Sequence, residues 1–283
     1  MNLTSPKVIK EICAQFGFGF SKGLGQNFLL DANVLEQIAE AAGDVDAVIE
    51  IGPGFGVLTR ELAKAYETVL SIEIDQRLYP ILDYTLSDCP NVEIIPGDVM
   101  KLDISELISK KLDKKRISVA ANLPYYITTP ILTMLIESRL PFENIVVMIQ
   151  KEVAQRICAK PGSKDYGAIS VLCQYYTNPE LLCVVPAGSF LPPPKVDSAV
   201  LRMQVLPEPK VHTENEALFF RVVKAAFSQR RKTLLNCLSN NFPLDKNTLT
   251  DCLEGIGIQP TIRGEKLGLE EFASITKALQ SIL

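Results

Sequence analysis

The sequence predicts an α/β fold: a doubly wound, mostly parallel sheet followed by a small helical C-terminal domain. Three observations carry this. Short apolar strands alternate with amphipathic helices from residue 47 to 176, which is the rhythm of βαβ units. A glycine-rich turn, Gly52-Pro-Gly-Phe-Gly56, joins the first of those strands to a helix. The Pro- and charge-rich stretch 206–214 then marks a boundary, beyond which the pattern is helical. The expected domains are therefore 1–206 and 207–283.

The 283 residues are 47% hydrophobic and carry a net charge of −4, enough apolar content for a large core without a generally basic surface. No apolar run reaches the ~18 residues of a membrane span, and the start lacks a signal-peptide core, so a cytoplasmic protein without membrane attachment is expected. Seven scattered cysteines with no Cys-x-x-Cys pair give neither a disulfide framework nor a zinc site. The single histidine, His212, lies in the linker, which leaves triads and His-ligated metals unsupported. No metal is expected.

Taken in order, residues 7–20 predict an N-terminal helix with Ile9, Ile12, Cys13 and Phe16 on one stripe. The segment Phe18 to Asp31 holds three glycines between Gly19 and Gly25, then Gln26 and Asn27, and reads either as a loop closing over a ligand or as a connecting turn. Asp31 caps a helix over 32–41. Residues 47–51 form a strand that delivers Glu50 and the glycine turn to the start of the next helix. Because position 57 is Val, the pattern is G-x-G-x-G and departs from the dinucleotide fingerprint, which disfavours a pyrophosphate ligand and an NAD-dependent oxidoreductase. An acid at position 50 suits a cationic ligand with an amino-acid tail.

Strands over 68–75 and 91–95 end in further acids: Glu73, with Asp75 as second choice, for ribose hydroxyls, and Asp98 for an adenine amine. Each acid alone reads as well as a cap or turn residue, but three at successive strand ends form a binding edge. The strand 117–121 brings Asn122-Leu-Pro-Tyr-Tyr126 to the same edge. There the Asn122 side-chain oxygen and the Leu123 carbonyl are two acceptors for an exocyclic amine, Pro124 stiffens the backbone, and Tyr125 offers a stacking face. Adenine or cytosine fits such a tip. Thr128-Thr-Pro130 opens a helix with Pro at its first position, and strands follow at 144–149, 181–185 and 198–205. The stiff Pro-rich loop 186–197 holds Phe190, either as a second wall for a base or as a core anchor. A helix over 216–238 carries the basic run Arg230, Arg231 and Lys232, suited to RNA phosphates or to a solvated helix face.

Together, Gly25-Gln-Asn-Phe-Leu-Leu-Asp31, Glu50-Ile-Gly-Pro-Gly-Phe-Gly-Val-Leu-Thr59, Glu73-Ile-Asp75, Gly97-Asp98, Asn122-Leu-Pro-Tyr-Tyr126, Phe190-x-Pro-x-Pro-Lys-Val-Asp-Ser198 and Phe227-x-x-Arg-Arg-Lys-x-Leu234 resemble the ribosomal RNA adenine dimethyltransferases, in particular their bacterial small-subunit branch. The resemblance covers residues 20–275. It implies a Rossmann-like class I methyltransferase fold with a seven-stranded sheet whose last strand is antiparallel, and S-adenosylmethionine as methyl donor. It also implies N6,N6-dimethylation of two adjacent adenines in the 3′-terminal hairpin loop of 16S rRNA within the small ribosomal subunit. In this family Asn27, Leu29, Gly52, Glu73, Asp98 and Asn122 would line the donor site, and the glycine turn adds Gly54. A monomer is expected. Two other readings stay open: the large-subunit rRNA methyltransferases that confer antibiotic resistance, which typically carry Ile where this chain has Leu123, and an RNA-binding assembly factor. Ala120 and Ala121 are expected to leave room around N6 for the second methyl group.

Overall fold

The computed structural model describes residues 1–21, 23 and 25–283, so that Lys22 and Leu24 of the glycine-rich N-terminal segment lie outside the described residues. The elements in chain order are α1 (Pro6–Phe16), β1 (Phe28–Leu29), α2 (Ala32–Ala41), β2 (Ala47–Ile51), α3 (Val57–Ala65), β3 (Thr68–Glu73), α4 (Tyr79–Thr85), β4 (Val92–Pro96), α5 (Ile104–Lys111), β5 (Ile117–Asn122), α6 (Thr128–Glu137), β6 (Phe142–Gln150), α7 (Lys151–Ile157), α8 (Ala168–Tyr176), β7 (Thr177–Val185), β8 (Phe190–Leu191), β9 (Ser198–Val205), α9 (Glu216–Ala226), α10 (Leu234–Ser239), α11 (Lys246–Gly255) and α12 (Leu269–Gln280). Among the described residues no helix is long and apolar enough to cross a membrane.

The chain divides into two compact units, Met1–Ala154 with Glu180–Val205, and Gln155–Pro179 with Leu206–Leu283. The first is built on a seven-stranded sheet of order β4-β3-β2-β5-β6-β9-β7. Its parallel pairings are β2 with β3 and β5, β3 with β4, and β5 with β6, while β9 runs antiparallel to β6. Every residue of β2 is buried, as a central strand covered by helices on both faces requires. The connections reverse direction between β2 and β5, so the crevice beyond their carboxyl ends is where this topology accommodates a ligand. β1 and β8 form a separate two-stranded ribbon, with Leu29 opposite Phe190.

Helix α2 begins where Asp31 accepts from the amides of Asn33 and Val34, and it buries Val34, Leu35 and Ile38 at helical spacing. The N-terminal helix stops at Phe16, four residues short of the expected end, because Gly17 takes the left-handed conformation (φ 62°) that closes a helix. Helix α6 starts at Thr128, which puts Pro130 third rather than first; that amide position also lacks a helical acceptor, so the proline still costs nothing. The helix expected over 216–238 is two helices. Residues 228–232 offer no apolar side chain to continue the buried stripe, and the Thr233 hydroxyl accepts from Asn236 N to begin α10. In the second unit α9 and α12 bring Phe219 and Phe272 into an aromatic core with Tyr175 and Phe227.

One buried charge stands out in the first unit. Glu50, the fourth of the five residues of β2, is 1% exposed, and its Oε2 accepts from Thr59 Oγ1 and Ser71 Oγ, each at 2.6 Å. Burial pushes its carboxyl from 4.5 up to about 7; the two hydroxyl donors pull down and the Glu73 charge pushes up. The folded state therefore favours the protonated acid: the stabilisation is complete below about pH 4.5, decays as pH rises and is gone above about 7. Glu50→Gln should accordingly gain stability over the wild type by up to about 3 kcal/mol between pH 4.5 and pH 8, read by urea unfolding at the two pH values. An unchanged difference across that range would contradict the assignment.

Candidate active site

A cleft of about 900 Å³, open mouth included, lies at the carboxyl ends of β2, β3, β4 and β5. That is within the ~300–1,000 Å³ of small-molecule and cofactor sites. Its walls come from the glycine turn after β2 (Gly52, Gly54), the end of β3 (Glu73, Ile74), the turn after β4 (Gly97, Asp98), the tip after β5 (Asn122 to Ile127) and the N-terminal segment Gly25 to Phe28. Of the sequence-predicted positions, Asn27, Gly52, Gly54, Glu73, Asp98, Asn122, Leu123, Pro124 and Tyr125 come together here.

The glycine turn is shaped by close approach. At Gly54, φ is +61° and a Cβ would stand 2.6 Å from the Phe28 ring, so both conformation and space demand glycine. Phe28 in turn packs edge-on against Phe55 at 4.6 Å, and Phe18 and Phe20 complete a four-ring cluster. This cluster seats the N-terminal segment on the turn. Polar bonds reinforce it: Gln26 Nε2 donates to Asp75 Oδ2 at 2.9 Å, Gln26 Oε1 accepts from Ser21 N at 2.9 Å, and the Arg77 guanidinium covers the Phe18 ring at 5.1 Å.

The acids separate into distinct roles. Glu73 is 4% exposed, with Oε1 accepting from Asp75 N at 2.7 Å and Oε2 from Gly54 N at 3.4 Å. Burial raises its pKa, and these two amides oppose the rise. Its remaining lone pairs face the cleft edge, ready for hydroxyl donors. Asp75, the second choice for ribose, has no such capacity: Arg77 engages it through Nε at 2.8 Å and Nη2 at 2.6 Å, Gln26 takes Oδ2, and these bonds hold its carboxyl below the usual range. It anchors the N-terminal segment instead. Asp98 accepts from Met100 N at 3.0 Å and keeps one oxygen toward solvent and Lys101. Glu50 stands behind the glycine turn and does not line the cleft.

The tip after β5 is rigid. Leu123 N donates to Met148 O at 3.1 Å, Ile127 N and Thr128 Oγ1 both donate to Pro124 O, and the Tyr125 hydroxyl shares a 2.6 Å hydrogen bond with Ser198 Oγ. Asn122 Nδ2 donates to the backbone oxygen of Asn27 at 3.0 Å, which fixes the amide with its oxygen as the remaining acceptor. No hydrogen bond among the described residues ends on Asn122 Oδ1 or on the Leu123 carbonyl oxygen. Two neighbouring acceptors are thus available beside the Tyr125 ring.

Other expectations fall elsewhere. Leu29 is buried in the β1–β8 ribbon and lines a smaller cavity behind the cleft. Phe190 is 5% exposed within the hydrophobic core and does not reach the cleft wall. Ala120 and Ala121 are both fully buried in β5 and do not line the cleft, so the space they were expected to provide lies inside the sheet's packing. Arg230, Arg231 and Lys232 are exposed in the loop between α9 and α10. Among the cleft residues that escaped the sequence reading are Ile74, exposed at the cleft between Glu73 and Asp75, and Tyr126, 62% exposed, whose ring abuts Gly25. The apolar residue flanked by acids and the doubled tyrosine were the available signals. Among the described residues no His, Cys, Asp or Glu cluster is arranged to hold a metal ion.

The family model for ribosomal RNA adenine dimethylase matches residues 17–281. Ribosomal RNA small subunit methyltransferase A of Bacillus mycoides is 50% identical over 284 residues, covering 98% of this chain and 97% of that protein. The protein of the same name from Alkaliphilus metalliredigens is 50% identical over 279 residues, with 97% of each covered. Among solved structures, a dimethyladenosine transferase from Plasmodium falciparum superposes with a TM-score of 0.73 at 26% identity, covering 90% of this chain and 98% of that one. The 23S rRNA methyltransferase ErmE gives 0.68 at 27% identity, over 90% of this chain and all of that one. Sequence identity along nearly the whole chain agrees with the architecture around the cleft, and the chain belongs to the ribosomal RNA adenine dimethylase family.

Proposed function

We propose that the protein uses S-adenosylmethionine to dimethylate N6 of two adjacent adenines in the 3′-terminal hairpin loop of 16S rRNA, on small ribosomal subunits in the cytoplasm, as a monomer and as a step in subunit biogenesis. The observation that carries this reading is the pair of free acceptors, Asn122 Oδ1 and Leu123 O, fixed beside Tyr125 at the mouth of a cofactor-sized cleft. The small-subunit assignment is supported by the half-identical relatives named for that activity and by Leu at position 123.

The residues present fit the methyl donor. Buried Glu73, satisfied by backbone amides alone, has lone pairs for ribose hydroxyls. Asp98 would accept from an adenine amine, Ile74 supplies an apolar face, and the Gly52–Gly54 backbone and Asn27 would hold the amino-acid tail. S-adenosylmethionine supplies an electrophilic methyl group on sulfur. The chain supplies orientation. Adenine N6 is a weak nucleophile because its lone pair is delocalised into the ring; accepting both N–H bonds at Asn122 Oδ1 and Leu123 O pyramidalises it and frees that pair. Tyr125, pinned through Ser198, holds the ring plane, and Pro124 fixes the spacing between the acceptors. Catalysis is then mostly positioning. After one transfer a single N–H remains, and stacking carries more of the burden. Phe190 enters as the anchor that pairs β8 with Leu29 of β1 rather than as a wall of the base site. The target base must leave its stack, which a hairpin loop permits more readily than a duplex.

The helical C-terminal domain is assigned to RNA and ribosome recognition, with Arg230, Arg231 and Lys232 on phosphates. Replacing all three by Ala should weaken subunit binding and lower the slope of log K against log salt by about 2–3, measured by filter binding from low to moderate salt. Glu73→Gln should weaken S-adenosylmethionine binding about tenfold by calorimetry, in keeping with the loss of one charge-assisted hydrogen bond. The overall reading is tested by methyl transfer from labelled donor to immature small subunits and, in parallel, to large-subunit RNA. Dimethyladenosine on the small-subunit RNA alone is expected. Transfer only to large-subunit RNA, or tight subunit binding without transfer, would overturn the assignment.

A further inference from the structure

Behind the cleft, under the glycine turn, lies a second and smaller cavity walled by Leu29, Leu35, Ile38, Val57, Glu50 and Asn122. Two polar side chains, Glu50 and Asn122, share it with the aliphatic ones. Glu50 Oε2 has two hydroxyl donors, whereas Glu50 Oε1 is buried and has no partner at all. An ionisable oxygen left unpaired in an apolar interior is destabilising, so such atoms are ordinarily met by water. Asn122 has a complementary surplus, because its amide carries two N–H bonds and Asn27 O accounts for one.

The sheet register sets the distance between them. Glu50 of β2 pairs with Ala120 of β5, so Glu50, Ala120 and Asn122 project from the same face, with Asn122 one pleat further on. No direct hydrogen bond joins the two, since Glu50 Oε1 has no partner and Asn122 Nδ2 donates to Asn27 O, while diagonal neighbours on a sheet, roughly 7–8 Å apart at their backbones, are near enough for one water to join their side chains. Both Glu50 and Asn122 line this cavity, which has room for on the order of two waters.

We infer that a buried water in this cavity bridges Asn122 Nδ2 to Glu50 Oε1, making Glu50 a positioning residue for the amide that accepts the substrate amine. The water accepts from the second amide N–H and donates to the carboxylate. With Asn27 O on the first N–H, both donors of Asn122 are then held away from the cleft, and Oδ1 is left facing it. The ionised carboxylate suits this bridge because it accepts without donating; an amide that turns its N–H to the water removes the acceptor to which the water donates and loosens the bridge. The same residue whose charge costs stability above neutral pH thereby supports the reaction. The inference rests on Asn122 serving as the acceptor in methyl transfer.

Two measurements test it. In a high-resolution crystal structure of the wild-type protein, electron density for a water within hydrogen-bond reach of Glu50 Oε1 and Asn122 Nδ2 is expected; a dry cavity overturns the inference whatever the activity. In single-turnover methyl transfer to immature small subunits at pH 8, where the Glu50 carboxyl is mostly ionised, Glu50→Gln should slow the wild type about tenfold at saturating donor, with donor affinity within about threefold. In the Asn122→Ala background the same change should cost no more than about twofold, since the group it positions is gone. Losses that multiply, or weaker donor binding at an unchanged rate, would instead assign Glu50 to the fold or to the donor's charge and overturn the inference. A wild type that transfers nothing to RNA would count against the proposed function, and the crystallographic result would still decide the water.

Discussion

The hydrogen bond from Asn122 Nδ2 to the backbone oxygen of Asn27 is the constraint on which the site depends. An asparagine amide can turn over at little cost, and a turned amide would present donors to an incoming amine and repel it. Tying one N–H to a backbone carbonyl removes that freedom. The carbonyl belongs to an N-terminal segment that is itself held by the four phenylalanine rings and by the Gln26, Asp75 and Arg77 bonds. The orientation of one side chain thus rests on packing that begins some hundred residues earlier in the chain, and Gly54 is the point where that packing meets the glycine turn.

The sheet edge also concentrates carboxylates at a cost. Glu50 and Glu73 are both buried and both have carboxyls pushed upward by burial, with the Glu73 charge adding to the rise at Glu50 and the Asp75 charge adding to that at Glu73. A core selected for stability alone would not hold them. Their arrangement differs in kind: Glu73 is met by backbone amides and opens to the cleft, Asp75 is consumed by an arginine and a glutamine, and Glu50 is sealed beneath the helix α3. Three acids at two adjacent strands therefore divide between the cleft wall, segment anchoring and interior polarity.

Much of this was legible in the sequence. The bounds of α2, β2 and β9 follow from a cap, a short run that is apolar but for Glu50, and flanking turn residues, which are local signals. So were the acids and the Asn-Leu-Pro-Tyr tip, because strand ends of a parallel sheet converge on one edge whatever the rest of the packing does. What escaped depends on facing and partnership. Ala120 and Ala121 stand next to the Asn-Leu-Pro-Tyr tip in sequence, yet strand parity turns both into the sheet's packed faces. Asp75 looks like Glu73 until Arg77 and Gln26 are found on it. The break between α9 and α10 was hidden by helix-favouring residues around a run of cations, and it moves those cations from a helix face to a loop.

The most direct measurement is a crystal structure of the protein with S-adenosylhomocysteine and a short RNA hairpin carrying the adjacent adenines. The account predicts one adenine flipped against Tyr125, with N6 roughly 2.7–3.2 Å from both Asn122 Oδ1 and the Leu123 carbonyl oxygen and the Asn122–Asn27 hydrogen bond kept. An adenine bound elsewhere, or an Asn122 amide turned to point its nitrogen at the base, would contradict it.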